Sequence, residues 1–137
     1  MRTPSLPGIF TLLGALALST TLNAHAASGD ELLSPQYAAC MDKSGGVTVK
    51  MNDCMVAETK AQDVKLNASY KRALNAQTPA RKKQLTEVQR QWLKYRDANC
   101  DFYADPDGGT MATLAVHSCY MMSTAERAEE LQHMGGE

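Results

Sequence analysis

Four cysteines, Cys40, Cys54, Cys100 and Cys119, constrain this 137-residue chain more than any other feature. What they mean depends on the compartment. Arg2 is followed by a short apolar stretch, Ile9 to Leu18, and then by Ala24-His25-Ala26, an A-x-A cleavage pattern. Together these predict a signal peptide over residues 1–26 and a periplasmic or secreted protein after cleavage near Ala26. The stretch is shorter than the about 20 apolar residues that span a bilayer, so no membrane span is expected. No cysteine directly follows the cleavage site, so no lipid anchor is expected either. In an oxidising compartment, four cysteines in a small domain read as two disulfides. A zinc site is the rival reading, but the chain has no C-x-x-C and no neighbouring histidine pair.

Removing 26 of the 137 residues leaves 111, one domain with a modest core. Thirteen bases and 15 acids remain, a net of −2, which argues against a nucleic-acid binder.

The fold class reads as all-α, a small disulfide-stapled helical bundle. Residues 27–35 are polar and read as a flexible leader, 36–134 as the helical domain and 135–137 as a tail. Gln36 to Lys43 suggests a short helix ended by Ser44-Gly45-Gly46. From Val49 to Asn75 neither Gly nor Pro interrupts the chain, with Thr48 as the expected N-cap and Met51, Met55, Leu66, Tyr70 and Ala73 near one face. Thr78-Pro79 opens a second long helix, in which Leu85, Val88, Trp92, Tyr95 and Phe102 recur at helical spacing. The link between these helices is short, which predicts an antiparallel hairpin as the centre of the bundle. Asp105-Pro106-Asp107-Gly108-Gly109 is a turn cluster. Beyond it two shorter helices are expected, one capped by Thr110 and one opened by a capping box at Ser123-Thr124-Ala125-Glu126.

Charge is segregated along the chain. Residues 60–96 hold ten bases and two acids, a net of +8; residues 97–137 hold eight acids and one base, a net of −7. Either the two blocks pack together and neutralise each other, or one pole steers a charged partner.

Catalytic chemistry finds little to work with. Beyond the leader the histidines are His117 and His133, and oxidised cysteines are not nucleophiles. Glu58, Asp63 and Asp97 are the acids placed for paired-carboxylate hydrolysis. Their basic neighbours Lys60, Lys65 and Arg96 favour ionised structural carboxylates instead. No enzyme activity, cofactor or metal is expected. Trp92 reads as core, with an interface role for Trp92 and Arg96 as the alternative.

The order Cys40, Thr48-x5-Cys54-x3-Glu58, Asp63-x2-Leu66-Asn67-x2-Tyr70, Gln89-Arg90-Gln91-Trp92-x3-Arg96-Asp97-x2-Cys100, Gly108-Gly109-Thr110, Cys119, Thr124 and Arg127 resembles the LprI-like family of secreted bacterial proteins, named for a lysozyme inhibitor. The likeness runs from about Tyr37 to Leu131. It implies an all-helical, disulfide-bonded exported domain. It also implies that Glu58, Asp63, Asn67, Tyr70, Trp92, Arg96 and Asp97 are structural positions. Of the three pairings open to four cysteines, it favours Cys40–Cys54 with Cys100–Cys119, each closing a short turn. Cys54–Cys100 with Cys40–Cys119 stays open, since Cys54 and Cys100 both lie 23 residues from Gln77. The resemblance makes a protein partner, lysozyme, the leading expectation. In that case the acidic loop bearing Asp101, Asp105 and Asp107 would steer a cationic enzyme, and Lys94 or Arg96 would meet the two carboxylates of its cleft. The alternative is an interaction or structural module of the cell envelope with a different partner.

Overall fold

The computed structural model describes residues 29–136, so the predicted signal peptide lies outside the described residues. A single turn, α1 (Gly29–Leu32), is followed by α2 (Pro35–Ser44), α3 (Thr48–Asn75), α4 (Pro79–Asp101) and α5 (Gly109–Met134). No strand occurs among the described residues, and no helix there is long and apolar enough to cross a membrane.

Local chemistry explains most boundaries. Ser34 caps α2: its backbone is extended and its Oγ accepts a hydrogen bond from the Tyr37 amide at 3.1 Å, with Pro35 in the first turn. Gly45, at φ 58°, ends that helix in the left-handed conformation that costs glycine least. Thr78 and Pro79 open α4 as the sequence predicts. Thr48 does not cap α3. It is the first helical residue, and Val47 takes the cap position without a side-chain hydrogen bond.

Three expectations are corrected. First, the two short C-terminal helices are one 26-residue helix, α5. Ser123 to Glu126 opens nothing, because the Thr124 hydroxyl donates back to the Tyr120 carbonyl at 2.7 Å within the helix. No Gly or Pro falls between Gly109 and Gly135, and Met121, Thr124, Ala125, Ala128 and Leu131 form one unbroken buried face. Second, α3 packs chiefly against α5, and the α3–α4 hairpin makes a minor contact. Ser69 and Ala73 on α3, with Thr124, Ala125 and Ala128 on α5, are small and buried, which lets these two helices approach closely. Third, α4 covers this pair from the side. Leu85 and Trp92 pack against the Leu66, Ala73, Ala128 and Leu131 cluster, but Val88, Tyr95 and Phe102, expected in the core, are exposed.

The end of the supposed flexible leader is also ordered. The Ser34 amide donates to Glu58 Oε1 at 2.8 Å, and Gln62 Nε2 donates to the Leu32 carbonyl at 3.0 Å. At the other terminus the Gly135 amide donates to the Leu131 carbonyl at 3.2 Å and closes α5.

Disulfides join Cys40 to Cys54, with Cα atoms 5.7 Å apart, and Cys100 to Cys119, with Cα atoms 5.4 Å apart. These are the local pairs. The first ties α2 to the early turns of α3, and the second ties the end of α4 to α5. With so few large side chains buried, such links matter: closing a loop of 15 residues is worth about 3 kcal/mol in the chain-entropy view.

Candidate functional site

The residues singled out from sequence separate into a buried polar framework and an exposed acidic loop. The framework begins on α3, whose buried face runs Cys54, Met55, Glu58, Gln62, Leu66, Ser69, Ala73 at three- and four-residue steps. Burial alone would raise the pKa of Glu58. Hydrogen bonds from the Ser34 hydroxyl, from Gln62 Nε2 at 2.6 Å and from the Ser34 amide, together with the charge of Lys65, outweigh it and hold the carboxyl below its ordinary range.

Trp92 anchors a second framework between α4 and α5. The Arg96 guanidinium carbon lies 5.3 Å from the centre of the Trp92 ring and 5.4 Å from that of Tyr120, and the Arg127 guanidinium carbon lies 5.8 Å from Trp92. Arg96, its side chain 14% exposed, donates to Asp97 Oδ1 at 3.0 and 3.1 Å and to Thr124 Oγ1 at 3.2 Å, and stands 3.6 Å from Asp63. Arg127, 4% exposed, donates Nε to Gln89 Oε1 at 3.0 Å and pairs with Glu130. Its Nη2 makes no hydrogen bond within the described structure; the Trp92 face beside it offers partial compensation. All three acids weighed for hydrolysis are thus engaged, Glu58 with Ser34 and Gln62, Asp63 and Asp97 with Arg96. Tyr70 packs against the core and its hydroxyl donates to Thr86 Oγ1 at 3.2 Å, while Asn67 is exposed.

The acidic loop joins α4 to α5. Asp101, Asp105 and Asp107 are exposed, as is Lys94 about two turns back on α4. The loop is braced rather than loose. The Cys100–Cys119 bond closes its base, and the Tyr120 hydroxyl donates to Asp101 Oδ1 at 2.9 Å. Asp105 Oδ1 accepts from the Asp107 amide at 2.9 Å and the Asp105 carbonyl from the Gly108 amide at 3.1 Å. Burial, the hydrogen bond to Asp101 and the nearby carboxylates of Asp101 and Asp97 raise the Tyr120 pKa, against the opposing charge of Arg96.

The structure therefore brings together Trp92, Arg96, Asp63 and Asp97, and keeps Arg96 largely spoken for. Sequence reasoning placed no role on Ser34, Gln62 or Tyr120, and named Gln89 and Arg127 only as positions of the family pattern. Gln62 was legible only as a helical-phase partner of Leu66. Among the described residues no group of three or more His, Cys, Asp or Glu is placed to hold a metal ion.

A family model described as lysozyme inhibitor LprI matches residues 40–131. The chain belongs to the LprI family. The match starts at the first cysteine and spans both disulfides, the Trp92 framework and the acidic loop. This LprI-family chain is also 26% identical over 98 residues to an uncharacterized protein of Rhizobium meliloti (strain 1021), covering 61% of this chain and 70% of that protein. No solved structure matches it.

Proposed function

We propose that this LprI-family protein is an exported inhibitor of lysozyme that acts by non-covalent protein–protein binding. The family match over residues 40–131 carries the reading. Within the fold, the surface that suits it is the loop bearing Asp101, Asp105 and Asp107, exposed and held at its base by Cys100–Cys119. A preformed loop loses little entropy on binding, and its carboxylates attract a cationic enzyme. Lys94 fits the role of a cation for the enzyme's cleft carboxylates better than Arg96, which is already bonded to Asp97 and Thr124. Two disulfides support export, because such bonds persist in oxidising compartments.

A second reading, an envelope module with a non-lysozyme partner, draws on the exposed bases Lys83 and Arg90 of α4, which do not suit a cationic enzyme. The test is lysis of a peptidoglycan substrate by lysozyme with and without the purified protein. Dose-dependent slowing is expected, and no peptidoglycan cleavage by the protein alone. Undiminished lysis at a large molar excess of the protein overturns the inhibitor reading.

A further inference from the structure

Three apolar side chains stand out from the free side of α4. Val88, Tyr95 and Phe102 are 49%, 66% and 85% exposed. They are spaced by seven, so they line up along one ridge of the helix. Gln84, Gln91 and Ala98 fill the alternate steps and complete the three-four spacing of a helix-pairing seam.

The two ends of this ridge differ. At the start, Leu85, Val88 and Met134 form the apolar lining of an open groove of about 390 Å³, with Arg81 on its margin. At the far end Phe102 projects into solvent. Groove and projection are 14 residues apart on one helix, about 21 Å. Charge follows the same axis: Arg81, Lys82 and Lys83 lie at the groove end, Asp101, Asp105 and Asp107 at the Phe102 end.

A surface of this kind is complementary to itself. A two-fold axis passing Tyr95 would set two α4 helices antiparallel, with Val88 of each copy opposite Phe102 of the other. Each phenyl ring would enter the partner's groove, and Arg81 would come opposite the 105–109 turn with its two aspartates. From this arrangement we infer that the ridge is a homodimer interface, formed by α4 of a second copy. A two-fold contact places the same patch on both sides, so both grooves are filled at once. One helix face and a loop bury a small area, and interfaces below about 1,200 Å² are characteristically transient. The dimer is therefore concentration-dependent.

Sedimentation of the purified protein without lysozyme tests this, so the outcome is separate from the inhibitor reading. A monomer–dimer equilibrium is expected, weakened by salt and at least about tenfold by Phe102→Asp. That variant alters an exposed side chain and keeps the fold. Under mild oxidation, Tyr95→Cys should link to its counterpart in a second copy, whereas Lys60→Cys, exposed on α3, should not. A protein that stays monomeric up to about 1 mM overturns the inference, as does a dimer that survives Phe102→Asp and gives no Tyr95→Cys link. A monomer whose lysozyme inhibition is lost on Phe102→Asp assigns the ridge to lysozyme instead, and equally overturns it.

Discussion

Ser34 donates both its amide and its hydroxyl to the buried carboxylate of Glu58, 24 residues further along the chain. One residue thus caps α2 and fixes its start against the middle of α3. Gln62, one turn beyond Glu58, completes the network by donating to both the carboxylate and the Leu32 carbonyl. A buried carboxylate of this sort is tolerated only when its oxygens are satisfied, and here they are.

Stability should fall in acid through Glu58. Its pKa is lower in the folded state than the about 4.3 of an unfolded chain. The stabilisation is therefore fully present above that value and is lost as pH falls through the folded pKa. Glu58→Gln should be less stable than wild type near pH 7, by about 1–3 kcal/mol, and in urea titrations the two should converge as pH falls below the ordinary carboxylate range. A constant difference across that range would refute the linkage.

Reductant should destabilise the protein strongly. The hydrophobic cluster is small, and two crosslinks of about 3 kcal/mol each are large beside a typical net stability of about 5–15 kcal/mol. A lower melting temperature with reductant is expected. Identical melts, or four titratable thiols in the isolated protein, would contradict it.

Arg127→Ala should cost about 1–3 kcal/mol, because it leaves the buried Gln89 oxygen without its donor. Arg127→Lys should recover only part of this. An ammonium keeps the charge but cannot lie flat on Trp92 while bonding Gln89 and Glu130. Denaturant midpoints of the three proteins decide it, and equal midpoints would remove the structural role.

If lysozyme is the target, rising salt should weaken inhibition, since exposed charges are screened within about 10 Å at 0.1 M. Asp101→Asn, Asp105→Asn and Asp107→Asn together retain a carbonyl acceptor at each position. They should slow association more than they speed dissociation. Tight inhibition by the triple variant with an unchanged association rate would exclude the loop as the steering element.

The two charge blocks show where reading from sequence ran short. α3, which carries part of the basic block, packs chiefly against α5 of the acidic block. Among the ion pairs of the described residues, Arg96 bridges to Asp97 at the boundary, while Arg90–Glu87 and Arg127–Glu130 are pairs within one helix. Opposite charge along a chain says nothing about which helix faces meet.

What the sequence by itself determined were properties local to a few turns. Pro79, Gly45 and the Asp105–Gly109 turn set helix ends, because they act through their own φ or hydrogen bonds. The short turn between each pair of cysteines made the observed disulfides one of few choices. Tertiary structure decided the rest. It made α5 rather than α4 the main partner of α3, because Ala73, Ala125 and Ala128 allow closer approach than the Val88, Tyr95 and Phe102 stripe. It also turned Glu58 and Arg127 inward, since a charge can be buried only where partners from distant parts of the chain, Ser34 and Gln89, converge on it.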